Sequence, residues 1–302
     1  MISLKPSEIA LLSTRDVSAW STADIASLNS AQAKALTTAQ VAALSNAQVA
    51  AIETADLVQM STTQIQAFSR LQLTALGSAQ IAALRTSQTA ALQGTQVDAL
   101  SGAQIGAFTT EQIRSLKTSL IAALTTGQVM SLTSDQVKAL MTGQISAMET
   151  RDIAVLGTAQ VAALDSRQLR AMGTAQVAAL TGAQVAAIET DDLAGLSTEQ
   201  LQALSTLQLQ SLGTAQVAAL KGAQLAALST RQVAMLSTAQ MSALSTTQLR
   251  SLGSEQVAAL GSAQLQALST EQVQGLTTQQ VASLRPATLA ALSTAQVVAL
   301  TQ

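Results

Sequence analysis

A chain of 302 residues with 48% hydrophobic residues has material for a sizeable core, yet only 1% of it is aromatic. A formal net charge of −2, with 11% charged residues, gives neither a basic field for nucleic acid nor an acidic tail. Cys and His are both absent, which excludes disulfides, thiolate metal sites and the commonest general base, so neither cofactor nor metal is expected.

Met1-Ile2-Ser3-Leu4 lacks the apolar core of a secretory signal, and the chain enters a repeat at Lys5. From Lys5 to Leu300 it reads as 37 octads without insertion or deletion, and Thr37–Leu44, TTAQVAAL, shows the pattern. Position 8 is apolar in all 37 octads and is Leu in 29. Position 5 is Val, Ile, Leu or Met in 35; Ala33 and Thr89 are the exceptions. Position 4 is Gln in 29 octads and acidic in six, and position 7 is small in 33. Positions 3 and 6 carry most of the charge. The polar positions leave no run of 18 apolar residues, so no membrane span is expected.

An octad does not fit one long helix. At about 100° per residue the apolar stripe drifts about 80° per octad and circles the helix, whereas coiled coils need a fixed seam. Nor does it fit a strand well, because positions 5 and 8 fall on opposite faces and Gln and Ala are poor strand formers. A short helix followed by a sharp turn fits. Positions 5 and 8 then share a face. Ser/Thr at position 1 and Gln or Asp at position 4 have the capping-box spacing, with Thr at position 2 as an alternative cap. Pro6 and Pro286 stand at position 2, where Pro suits the first helical residue. Six glycines at position 1 (Gly77, Gly157, Gly173, Gly213, Gly253, Gly261) are expected to end the preceding helix in a left-handed conformation.

So short a helix is unstable alone and must be held by its neighbours. The expected fold is an all-α solenoid of helix-turn octads, one continuous array over 1–302 forming an elongated rod. Val41, Leu44, Val161, Leu164, Val177, Leu180, Val217 and Leu220 represent its core. Gln40, Gln48, Gln160, Gln176 and Gln216, with Thr38, Thr158 and Thr174, represent a capping and ladder set that bonds backbone groups between turns. Residues 1–28 are a candidate N-terminal cap, because Glu8, Asp16 and Asp24 replace Gln there and Trp20 is the one Trp. Thr301-Gln302 opens a further octad. In the second half Gly173, Gly213 and Gly253 recur at every fifth octad. That spacing fits duplication in blocks of five octads, or superhelical turns of two and a half octads.

No nucleotide-binding, metalloprotease, EF-hand or nucleophile-elbow motif interrupts the pattern, and no enzyme activity is expected. The acids at position 4 read as caps, and the Glu189–Asp192 cluster as a solvated helix start.

The phrases LTTAQVAAL at 36–44 and LSTAQVAAL at 292–300 resemble octapeptide repeats of long secreted or surface proteins of bacteria. That resemblance implies an extracellular or cell-surface structural role, as a fibre, matrix component or adhesin stalk. The expected function is a structural rod that self-associates head to tail. The alternative is a binding module presenting one solenoid face to a protein or surface.

Overall fold

The computed structural model describes residues 3–300; Met1-Ile2 and the octad opening at Thr301-Gln302 lie outside them. Among the described residues every octad forms one helix, 37 in all, and there is no strand. The chain divides into two compact units, Met1–Val155 and Leu156–Gln302, built to the same rule.

The local logic is clear at Thr37–Leu44. Thr37 is extended (φ −71°, ψ 158°), and its hydroxyl accepts the Gln40 N–H at 3.2 Å. The Gln40 side chain turns back, and its Oε1 accepts the Thr37 N–H at 2.8 Å. Both bonds of the capping box are made, which fixes the start of the helix Thr38–Ala43. At the other end the Leu44 N–H bonds the Val41 carbonyl at 3.2 Å, and Leu44 returns to extended backbone (φ −64°, ψ 143°). Two extended residues, positions 8 and 1, then lead into the next cap.

Two expectations are corrected here. No residue among those described has positive φ. The six position-1 glycines lie at φ −69° to −82° as N-caps of their own helices. The helix ends by the extended step at position 8, so no left-handed residue is needed. The cap, moreover, is position 1 and not position 2: Thr38, Thr158 and Thr174 are already the first helical residues, and they are exposed.

Within each unit a helix packs on the helix three octads further along, as Thr14–Ser18 does on Thr38–Ala43. Side-chain bonds between turns span 25 to 31 residues and centre on 28, three and a half octads. Within each unit a helix of one turn therefore packs on the helix three octads back and bonds carbonyls at the end of the one four back. A turn of two and a half octads is excluded by this geometry, and five octads are not a whole number of the turns observed. The half-octad offset also brings like positions into line only on every second turn. The Gln and Thr columns consequently cannot stack as like-on-like ladders.

Positions 5 and 8 line the core within each unit. Val41, Leu44, Val161, Leu164, Val177, Leu180, Val217 and Leu220 are all buried, as are most of their equivalents. Position 7 of one octad meets position 2 of the octad three earlier. A Cβ on Gly182 would lie 3.3 Å from the Ser211 Cβ, and one on Gly102 would lie 3.0 Å from the Ser131 Cβ. Where position 7 is Gly195, position 2 carries Ser166 instead. These pairs share one small volume between two sites.

Candidate functional site

Most of the polar chemistry of the chain lies in the position-4 column, which is buried from Gln32 onward at nearly every Gln. A Gln carboxamide has one acceptor and two N–H donors. Its Oε1 closes the cap of its own helix. Its Nε2 faces the preceding turn and donates to carbonyls at positions 8 and 5 of the octad four back. Gln40 donates to the Leu12 and Ile9 carbonyls, both at 2.8 Å. Gln48 donates to those of Trp20 and Val17, and Gln216 to those of Ile188 and Val185. Gln160 and Gln176 are likewise buried, and their Oε1 atoms accept from the N–H of Gly157 and Gly173. One side chain thus starts its own helix and satisfies the carbonyls at the end of another. The position-8 carbonyl has no backbone partner of its own, whereas the position-5 carbonyl also accepts the position-8 N–H of its own octad.

The acids divide by place. Glu8 and Asp16 are exposed and Asp24 is half-buried; they accept from the N–H of Lys5, Ser13 and Ser21 at 2.7, 3.1 and 3.0 Å. Hydrogen bonds from the Ser13 and Ser21 hydroxyls, each 2.6 Å, and then from their N–H groups hold the Asp16 and Asp24 carboxyls below the usual carboxylate range. The first Gln of the column, Gln32, is also the first that can reach back one turn, and it finds the Leu4 carbonyl at 2.8 Å.

Asp56, Asp152 and Asp192 sit inside the coil, in octads that open Glu-Thr. Asp56 takes a hydroxyl from Ser30 at 2.7 Å, and Asp192 takes one from Ser166. Asp152 has Thr126 at the equivalent place. Its side chain is 0% exposed, and its Oδ1 is the single buried side-chain oxygen among the described residues with no hydrogen bond. Oδ2 accepts the Glu149 N–H at 3.2 Å, and the Arg151 Nε is 3.8 Å from Oδ1. Burial pushes this carboxyl up, against the smaller opposing effects of the Glu149 hydrogen bond and the Arg151 charge.

The surface is otherwise short of chemistry. Arg151 pairs with Glu149 at 2.9 Å and Arg167 with Asp165 at 3.3 Å, so these arginines are locally neutralised. Among the described residues no group of three or more acidic side chains is placed to hold a metal ion. No helix among them is long and apolar enough to cross a membrane.

Sequence reasoning missed which carbonyls the Gln column reaches, and with them the offset of three and a half octads. Two signals carried both. Gln occupies position 4 only from Gln32 onward. Glycine at position 2 pairs with serine at position 7 three octads on, as in Gly102/Ser131, Gly182/Ser211 and Gly222/Ser251.

A family model described as the ALTTAQ repeat matches residues 9–46, 49–86, 105–142, 121–149, 145–182, 185–222, 218–246, 241–270 and 251–286. The hexapeptide occurs in this chain at Ala35–Gln40, across the junction from one octad into the cap and Gln of the next. Among curated proteins no match is found.

Proposed function

This chain belongs to the ALTTAQ repeat family, and on that premise we propose that it is a non-enzymatic structural spacer: a coil whose task is to hold a fixed length. The observation that carries this reading is where the polar groups are used. From Gln32 to Gln296 the carboxamides are committed to capping and to bonding one turn to the next. An extracellular or cell-surface setting follows from the resemblance to surface repeats and belongs to the same proposal.

The test is length by small-angle X-ray scattering. Residues 157–212 are seven octads, or two turns, and can be removed or duplicated without changing register. A spacer predicts a maximum dimension that shortens and lengthens by equal steps. Near-constant dimension in the three proteins would overturn the reading. A binding module would instead gather its variation into one face. Leu71, beside Arg70, Thr74 and Asp98, is an exposed apolar residue of the kind such a face would use.

A further inference from the structure

In the unit Leu156–Gln302 one side of the coil carries no charge. We propose that this side, over residues 168–279, is where a second copy of this chain lies antiparallel along the coil, related to the first by a two-fold axis between Leu207 and Met235. It concerns what lies beside the coil and stands apart from the spacer reading.

The side follows from the turn. Residues 28 apart stand over one another in this unit, as the bonds from Gln200 to Met172 and from Gln264 to Leu236 show. Counted by that turn, the windows 176–186, 204–214, 232–242 and 260–270 form one side, and none contains Asp, Glu, Lys or Arg. In Met1–Val155, counted in the same way, no charge-free side is wider than six residues of the 28. The octad does not impose the gap, because positions 3 and 6, which carry most of the charge, occur ten times within these windows. Six of the ten are Ala, and the rest are Leu207, Gln210, Ser242 and Gln266. Gln210 and Gln266 are tied to the Met235 and Ala291 carbonyls at 2.8 and 2.7 Å. The side therefore presents short or held side chains, which lose little freedom in a contact. Leu207 and Met235, one turn apart, stand on it 74% and 43% exposed.

The charges along its border select the occupant. On successive turns one border carries Arg170, Glu199, Arg231, Glu255 and Arg285, alternating in sign. Arg170, Glu199, Arg231 and Glu255 are exposed and make no ion pair among the described residues. An antiparallel copy on the stated axis exchanges turns. Leu207 then meets the partner's Met235, Glu199 faces the partner's Arg231, and Arg170 faces the partner's Glu255. Each contact occurs twice, as an isologous interface requires. The opposite border holds Glu189 and Glu271, which would face each other; they lie ten and eight residues from the Leu207 column, whereas Arg231 lies four from it. The area also suffices. The four windows hold about a seventh of the chain, hence about 1,900 Å² of its 13140 Å² accessible surface, and a stable interface takes about 800 Å² per partner.

The experiment uses the full chain at neutral pH and low salt. Sedimentation velocity over a hundredfold concentration range reads the mass, and circular dichroism checks the fold. The proposal expects the parent protein to reach a plateau at the mass of two chains. Leu207→Glu/Met235→Glu is expected to raise the dissociation constant about thirtyfold or more. Arg231→Glu sets like charges opposite one another and is expected to weaken pairing; adding Glu199→Arg reverses both signs and is expected to restore it. A parent that stays single at every concentration would overturn the proposal, as would one that grows past two chains without plateau. So would a folded Leu207→Glu/Met235→Glu protein that pairs like the parent, or a charge reversal that leaves pairing as weak as Arg231→Glu alone.

Discussion

Gln112→Glu exchanges an NH2 for an oxygen at nearly constant shape, and so isolates the donor half of the position-4 side chain. Gln112 is buried; its Oε1 accepts the Thr109 N–H at 2.7 Å, and its Nε2 donates to the carbonyls of Ile81 and Leu84 at 2.9 and 2.6 Å. A glutamate keeps the first bond and loses the other two. The Leu84 carbonyl is left without a partner at a cost of about 1–3 kcal/mol, while the Ile81 carbonyl keeps its bond from the Leu84 N–H. Burying the charge beside these carbonyls adds to this, giving a loss of about 3 kcal/mol or more at pH 7. The sign of the pH dependence follows from burial against acceptors, which raises the folded-state pKa of the new carboxyl above its unfolded value. The protonated acid can donate one bond. Its contribution is therefore fully present below the unfolded pKa and is lost as pH rises towards the folded one. Urea unfolding followed by circular dichroism, with the parent measured at each pH, should show a deficit that shrinks to about 1–3 kcal/mol at pH 3.5. Gln112→Ala should lose a similar amount at both pH values. A glutamate variant as stable as the parent at pH 7, or one with the same deficit at both, would refute the reasoning.

Asp152→Gln should stabilise the protein by about 1–3 kcal/mol, since it replaces a buried oxygen without a partner by a group that reaches the Leu124 and Ile121 carbonyls, the equivalents of those that Gln144 bonds at Leu116 and Ile113. Because the folded Asp152 pKa is raised, its penalty grows as pH rises above the ordinary carboxylate range; Glu149 and Arg151 are the charged groups beside it, and the gain from Asp152→Gln should grow likewise between pH 4 and 7 in urea titrations. Gly173→Ser should stabilise against urea by about 0.5–1 kcal/mol, because the glycine is extended and a serine there can cap Gln176 as Ser45 caps Gln48. Gly102→Ala should cost about 1–3 kcal/mol by crowding Ser131, and Ser131→Gly should return most of that loss when the two are combined in a double-mutant cycle.

The octad itself was legible because local rules write it residue by residue. The Ser/Thr…Gln cap, Pro at the first helical residue and the apolar i, i+3 pair each depend on neighbours within one helix, and helices form in these places. The burial of Val41 and Leu44 follows from the same pair. What lay beyond reach was how one octad meets another. An octad count cannot distinguish turns of two and a half octads from turns of three and a half, since both bring position 4 to position 8 of an earlier octad. The glycines at position 1 misled for a related reason: their usual role at helix ends is left-handed, whereas here the helix stops at position 8 in extended backbone and glycine merely tolerates the cap site. Asp56, Asp152 and Asp192 look alike in sequence, yet only the side chain facing each from the preceding turn decides which is satisfied: Ser30 and Ser166 serve two of them, and Asp152 Oδ1 has no such bond.

The offset of three and a half octads underlies both the Gln bonds and the glycine–serine pairs, and a cysteine-free chain allows it to be tested by a single cross-link. Gly182→Cys with Ser211→Cys places the two Cβ atoms about 3.3 Å apart, next to the range of about 3.5–4.5 Å that a disulfide requires. Gly182→Cys with Ala203→Cys is the corresponding pair, position 2 to position 7, for a turn one octad shorter. Under mild oxidant, with bond formation read by mass spectrometry on the single chain, the first pair should close nearly completely and the second should stay reduced. Closure of the 182/203 pair, or a folded protein whose 182/211 pair remains open, would contradict the account.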